Sequence, residues 1–561
     1  MTDDKTNKPA SLRDEESTVA EEETAIIQLT KAEFAICICC LILALFLGAL
    51  DQSIYAVAIP AIAAQFNSLE LMNWIATAYC LTTAAFMPLY AQLSNIYGRK
   101  PIFLLSLLLF ELGSGLCGAS VNMTMLIIAR AIAGAGASGI FGLVDIIVAD
   151  ITSIRNRGLV YSLMTAVWTV SATAGPFLGG IFVDYLSWRW IFYINLPLGL
   201  VIIPLVYFYL NLPSPPQESL FVSLKKIDWL GTVLVIGAIT SFLLAIQGGG
   251  TMFPWASAAF VVLIMASVVA TVAFIYVEGF VAKNPVLPLS CFTNRNSVGT
   301  FICAFFIGAS LVLNIYAPAL FQIVFGDSSM VSGLKSVPSA IGSLVSQFIC
   351  AAITSKTGLI FPFIPTGAVI LSAGFALLGL LDQYSALWQQ IVYLFIAGIP
   401  AGMLFNSNLV IAQSGLSGDV LAIAISTMSL FQVLGSTVAP AIAGAVFNDQ
   451  IVKNLATVEV PADFSKSKLY SDPSLIRNAT FMEQGSSLQT AAINAYSKSI
   501  STVFLMSIAF GVGLFVASVL LNKSRLPKEE EAVVLDLEEV STETRESSKK
   551  PTPISEFVVA A

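Results

Sequence analysis

Fourteen long apolar stretches, each about the length that crosses a bilayer core as a helix, dominate this chain of 561 residues. They lie near 34–58, 72–92, 102–121, 123–149, 159–183, 190–210, 229–247, 256–276, 297–323, 331–353, 359–381, 388–412, 420–447 and 498–521, and are called spans 1 to 14 in that order. In hydrocarbon every backbone N–H and C=O has to find its partner within the protein, and a helix does this by itself. The pattern predicts an all-α polytopic membrane protein. Charge is placed to match. Residues 1–32 and 522–561 hold 17 of the 35 acids and 10 of the 27 bases, which leaves the long middle close to neutral. The two ends, 1–33 and 522–561, are rich in Glu, Ser, Thr and Lys and read as disordered tails.

Several function classes drop out at once. The chain has no histidine, so it holds no Ser-His-Asp triad, no His-ligated zinc and no haem with a His axial ligand. It lacks G-x-x-x-x-G-K-[ST] and so is not by itself an ATP-driven pump with its own P-loop. A net charge of −8 argues against nucleic acid as a partner. The eight cysteines fall mostly in apolar stretches without metal or disulfide spacing. Cys37, Cys39 and Cys40 read as small packing residues, with palmitoylation the lesser alternative. The polar, acidic first 33 residues do not resemble a cleavable signal peptide, so span 1 is expected to be its own anchor. No metal and no cofactor are expected, and a membrane-embedded enzyme is the class with least support.

An even number of spans puts both tails on one side. The loops on that side carry Arg99, Lys100, Arg155, Arg157, Lys225, Lys226, Lys283, Arg295 and Lys356, whereas the short opposite loops offer little beyond Arg189 and Lys335. The excess of bases predicts cytoplasmic termini. The long opposite loop, 448–497, then places the sequon Asn478-Ala479-Thr480 where glycosylation is allowed.

An internal repeat is visible. Span 5 holds Gly175-Pro176-Phe177-Leu178-Gly179-Gly180, and span 13 holds Ala439-Pro440-Ala441-Ile442-Ala443-Gly444, with the prolines 264 residues apart. Ala133-Gly134 in span 4 and Ala397-Gly398 in span 12 are again 264 apart, and turns at Gly98 and Gly358 are 260 apart. These matches predict two six-helix bundles, 34–210 and 297–521, joined by a linker, 211–296, that carries spans 7 and 8. Repeated halves with a site at their interface are a common transporter plan.

The motifs now point to a family. Span 1 reads Leu50-Asp51-Gln52-Ser53-Ile54-Tyr55-Ala56-Val57-Ala58-Ile59-Pro60, and span 2 opens Trp74-Ile75-Ala76-Thr77-Ala78-Tyr79. The turn Leu93-Ser94-Asn95-Ile96-Tyr97-Gly98-Arg99-Lys100-Pro101 follows. Arg130 precedes Gly134 and Gly136 in span 4, and Trp188-Arg189-Trp190-Ile191-Phe192-Tyr193-Ile194-Asn195-Leu196-Pro197 leads span 6. Together with the Gly-Pro motif of span 5, these make the chain resemble the fourteen-span drug:proton antiporters of the major facilitator superfamily, in their fungal branch. The resemblance is dense over spans 1–8 and rests on topology and weak repeats beyond. It implies a major facilitator fold with two inserted helices, and a cytoplasmic gate at Asn95, Gly98, Arg99 and Lys100. Two departures stand out: the motif's usual aspartate is Asn95, and its leading glycine is Ala91. Asn95 accepts hydrogen bonds but forms no ion pair. Asp150, across the turn between spans 4 and 5, is the residue expected to supply the missing charge.

An ionisable group in a bilayer costs on the order of 3 kcal/mol or more, so each needs a reason. Asp51 and Arg130 each lie about seven residues from the outer end of their span, hence ~10 Å deep. They are expected to interact, either as a proton-titrating carboxylate with its cationic partner or as a static pair that fixes helix packing. Glu111, in mid-span 3, suits a proton carrier or a neutral hydrogen-bond donor. Asp145 lies nearer the inner end of span 4, where it can reach water. Gly134-Ala135-Gly136-Ala137-Ser138-Gly139 matches G-x-G-x-x-G but sits inside an apolar helix, which excludes a dinucleotide fingerprint. Gly175, Pro176, Gly179 and Gly180 combine close packing with a missing backbone hydrogen bond, and read as packing alone or as a bend that seals one conformation.

A pocket for amphipathic molecules needs aromatic surface and a few polar groups. Its candidates are Gln52, Tyr55, Trp168, Asn195, Asn314 and Asn406, with Tyr316, Gln322 and Asn408 behind them. Sparse charge favours neutral, hydrophobic or cationic cargo. The expected function is proton-coupled export of drugs, toxins or secondary metabolites by a monomer in the plasma membrane. The rivals are a vacuolar transporter of basic amino acids or related metabolites and a non-transporting membrane sensor.

Overall fold

The computed structural model describes residues 30–66, 68, 71, 74–210, 212, 227–249, 252–287, 289–414, 416, 418–456, 486–521 and 526. Asn478, Lys225, Lys226 and most of both tails lie outside the described residues. Every predicted span is met by a helix. Twelve helical segments among the described residues are long and apolar enough to cross a bilayer. The other two are Trp74–Tyr97, which carries threonines, Gln92, Ser94 and Asn95, and the short Phe363–Gly379.

The helices overrun the apolar stretches where polar chemistry extends them. Span 1 begins at Lys31, not 34, because Thr30 and Glu33 form a capping box: Thr30 Oγ1 accepts from Glu33 N at 3.3 Å and Glu33 Oε2 accepts from Thr30 N at 2.9 Å. Spans 13 and 14 run Gly418–Ala456 and Ser486–Ser518. Much of the expected 448–497 loop is therefore helix, held by the Asp449–Lys453 pair at 2.6 Å and by Asn454 Nδ2 donating to Ser499 Oγ at 2.9 Å.

The repeat extends to atomic contacts. In the first half, span 4 (Met123–Ile151) crosses span 2 at Gly134, where a β-carbon would overlap Tyr79 and Thr82. It crosses span 3 (Arg99–Gly118) at Ala133, whose backbone lies against Gly113. In the second half, span 12 (Leu387–Ala412) crosses span 10 (Ser329–Thr357) at Gly398, against Ser339, and its Ala397 lies against Gly374 of span 11. Small residues let these backbones approach closely where apolar lipid gives helices little reason to associate. The two turns match as well: Gly98 has φ 90° and Gly358 φ 70°, a region L side chains rarely adopt.

Spans 1 and 9 both break, span 9 about one turn earlier in the repeat. Span 1 passes from Lys31–Ile54 through a 3₁₀ turn, Tyr55–Val57, into Ile59–Gln65. Span 9 passes from Arg295–Leu311 through a 3₁₀ turn, Val312–Ile315, into Tyr316–Leu320 and a π-helical turn, Phe321–Phe325. The sequence signal for this pairing is Gly48-Ala49 with Gly308-Ala309, then Ile54-Tyr55-Ala56 with Ile315-Tyr316-Ala317.

Spans 7 (Trp229–Gly248) and 8 (Ala258–Phe280) pair with each other. Span 7 wedges between the halves: Val235, Ile239 and Leu243 share an apolar cluster with Leu81, Ala84 and Ala85 of span 2 and Leu430 of span 13. Span 8 turns Val262, Val269 and Val272 outward, as a lipid-facing helix does.

Candidate functional site

Five spans of the first half converge on one buried charge cluster. Arg130 Nη1 donates to Asp51 Oδ2 at 2.7 Å, and both side chains are fully buried. Arg130 Nε donates to the Ile75 carbonyl of span 2 at 3.1 Å. Its guanidinium lies 4.2 Å from the Tyr79 ring centroid, 4.9 Å from that of Tyr55 and 5.7 Å from that of Phe192. Aromatic faces stabilise a desolvated cation, and the carboxylate completes the pairing that a buried charge requires.

Asp51 has a second support. Asn195 Nδ2 donates to Asp51 Oδ1 at 3.0 Å and to Ser114 Oγ of span 3 at 3.1 Å. Asn195 opens the helix Asn195–Tyr209, just after the short Trp190–Tyr193 segment breaks at Ile194. Glu111, one turn from Ser114, is about nine-tenths buried, and neither of its oxygens has a partner among the described residues. Asp145 stands apart; the Tyr161 hydroxyl donates to its main-chain carbonyl at 2.9 Å.

At one end of the bundle, Arg99 Nε meets Asp150 Oδ2 at 2.9 Å, so Asp150 supplies the carboxylate that Asn95 lacks. Asn95 still takes part, accepting from Arg99 Nη1, which also reaches Ser94 Oγ at 2.8 Å. Lys100 turns away from Arg99 and lies 5.7 Å from the Tyr207 ring of span 6. In span 5 (Ile154–Tyr185), Gly175 and Gly179 press on Ser53 and Ile54 of span 1, and Ser53 Oγ donates to the Ser171 carbonyl at 2.9 Å. Pro176 lies within this helix, while Gly180 faces open space.

The profile of the Major Facilitator Superfamily matches residues 41–440. The chain belongs to this superfamily. Similar curated proteins include "Efflux pump dotC" of Dothistroma septosporum, 32% identical over 505 residues, 90% of this chain and 87% of that one. "Efflux pump FUS6" of Gibberella fujikuroi is 34% identical over 473 residues, 83% and 84% of the two chains. "Efflux pump aflT" of Aspergillus parasiticus is 33% identical over 425 residues, 75% and 83%. Among solved structures, the human organic anion transporter MFSD10 aligns with TM-score 0.55 at 15% identity, over 85% of this chain and 99% of that one. The proton:xylose symporter XylE aligns with TM-score 0.54, also at 15% identity, over 88% and 95%. These two share the fold. The protein is a multi-pass membrane transporter of the major facilitator superfamily.

In this transporter the pocket candidates separate. Tyr55 and Asn195 belong to the charge cluster. Trp168 stays over one-third exposed beside Phe141, their ring centroids 5.3 Å apart, and Gln52 is half-buried. Asn314 donates to Ser339 Oγ at 3.2 Å. Asn406 lies in a seam between the halves, where it donates to the Gly158 carbonyl of span 5 at 2.9 Å. Asn408 is bound into packing by the Thr300 carbonyl at 3.0 Å, Tyr316 packs on Phe447, and Gln322 is exposed.

The seam itself was not foreseen. Arg157 Nη1 donates to Gln413 Oε1 at 3.2 Å, and Gln413 Nε2 donates to the Tyr161 hydroxyl at 2.8 Å. Gln347 Nε2 donates to Thr165 Oγ1 at 2.9 Å, and Ser355 Oγ to Asn156 Oδ1 at 2.8 Å. Beyond span 14, Leu526 joins it: its N–H donates to the Gly358 carbonyl at 2.9 Å, and its own carbonyl accepts from Arg155 Nη2 at 2.6 Å. Gln347 inside span 10 and Gln413 at the end of span 12 were the available signal, since an amide in hydrocarbon needs a partner.

Proposed function

We propose that this transporter exports small amphipathic molecules in exchange for protons, by alternating access between its two bundles, 34–210 and 297–521. The observation that carries the reading is the Asp51–Arg130 pair, fully buried, with Asn195 on the second carboxylate oxygen. A proton on Asp51 cancels one charge of the pair and leaves Arg130 uncompensated, so proton binding and the packing of spans 1, 4 and 6 are linked. Glu111 is a further proton-binding group in the same cluster, and no metal or organic cofactor takes part.

The seam through Arg157, Gln347, Asn406 and Gln413 joins the halves at the end that carries Arg99 and Asp150. We read that end as cytoplasmic, with both termini there, because the loops rich in bases lie on the same side. The seam is then a closed inner gate, the antiporter motif at Gly175–Gly180 braces span 1, and the Asp51 cluster takes its proton from outside. Gln52, Trp168 and Asn314 remain as cargo contacts. The named efflux pumps among the relatives support export, and with it a plasma-membrane location.

The test is the full chain in proteoliposomes, with a panel of amphipathic dyes as cargo and an imposed pH gradient. Wild type drives dye flux, and Asp51→Asn loses the pH-driven part while keeping exchange of dye across equal pH. Full pH-driven flux in Asp51→Asn overturns the reading.

A further inference from the structure

Span 6 meets span 3 on two successive rungs. Asn195 faces Ser114, and Gly199, one turn further on, faces Glu111. The first rung is polar and continues to Asp51 through the same amide. The second is made by an absence of side chain: a β-carbon at Gly199 would overlap Glu111 Oε1 and its carboxyl carbon. Packing alone does not explain why the space holds a carboxyl, since an unpaired buried carboxylate is among the costliest groups a fold can carry.

A complementary gap lies one rung away. Asn195 Oδ1, an acceptor, also lacks a partner among the described residues. A protonated Glu111 carries the kind of donor that Asn195 Oδ1 is missing, and an ionised one does not. We infer that Gly199 is a positioning residue, which holds Glu111 as a second proton-binding position tied to Asp51 through Ser114 and Asn195. The inference rests on the proton-coupled reading above and adds to its two proton-binding groups the residue that positions the second and the link between them. The titratable and charged groups around the cluster are Asp51 and Tyr55 of span 1, Tyr79 and Cys80 of span 2, Cys117 of span 3, Arg130 of span 4 and Tyr193 leading span 6, with Asp145 further along span 4.

The experiment needs no cargo. The full chain in lipid nanodiscs is titrated while infrared absorption follows the C=O stretch of protonated carboxyl groups. Asp51→Asn and Glu111→Gln assign one band each by deleting it. Gly199→Ala is expected to move the midpoint of the Glu111 band by about one pH unit or more. In the Glu111→Gln background the same change leaves the Asp51 band in place. An unmoved Glu111 midpoint in Gly199→Ala overturns the inference, as does an equal shift of the Asp51 band with and without Glu111. If Asp51→Asn deletes no band, the proton reading itself falls, whatever Gly199 does. Should Gly199→Ala fold poorly, Glu111→Ala/Gly199→Ala restores yield by giving the methyl group room; failure of that pair to recover also overturns the inference.

Discussion

Gly134 and Gly398 make the same close helix crossing in the two halves, yet the residues four positions before them are Arg130 and Leu394. The comparison repeats across the bundle. Asp51 sits where the second half has Leu311, while Gly98 and Gly358 both take a positive φ, and Gly180 and Gly444 both face open space. The skeleton is duplicated and the buried charge is not. Leu394 is almost fully buried and makes no polar demand on its neighbours. The first bundle holds Asp51, Glu111 and Arg130, the buried ionisable groups on which the proposed proton coupling rests.

Three changes probe that asymmetry, from the largest effect to the smallest. Arg130→Leu gives the first half the second half's residue and strands Asp51, at a cost of ~3–5 kcal/mol. Asp51→Leu/Arg130→Leu should recover most of that stability in a detergent melting assay without recovering pH-driven flux. If flux returned with the apolar pair, the asymmetry would have no bearing on coupling. Next come the shared crossings. Gly134→Ala and Gly398→Ala should each lower the unfolding free energy by about 1–3 kcal/mol, since the methyl group meets backbone in both. A large loss at only one of them would show that the skeletons differ. Last, Gly180→Ala and Gly444→Ala should each raise stability by roughly 0.5–1 kcal/mol, because both lie inside helices and nothing lies near either. A marked loss at Gly180 alone would mean that it makes contact in another conformation.

Much of this was legible in the residues. Fourteen spans follow from apolar length, and the two-half repeat follows from Pro176 with Pro440 and Gly134 with Gly398. Asp51 and Arg130 stand out because ionisable groups are rare in hydrocarbon, and their equal depth predicts the contact that the structure shows at 2.7 Å. Asp150 was legible too, since a turn motif without its aspartate needs a carboxylate from elsewhere. The roles of amides were harder to read. Asn195 and Asn406 look alike in sequence, but one holds a carboxylate and the other joins the halves. An amide both donates and accepts, so its type fixes no partner; only the crossing of helices far apart in sequence does. Gly199 was silent for the same reason: its importance lies in Glu111 opposite.

Leu526 makes the stretch just past span 14 part of the contact between the two bundles. Both backbone groups of this residue are engaged, one by the turn at Gly358 in the second bundle and the other by Arg155 in the first. A reporter domain inserted between Leu521 and Leu526 therefore pulls on both bundles at once. One fused after Ala561 attaches 35 residues beyond that junction. The choice of attachment point decides whether a tagged protein still reports on the untagged one.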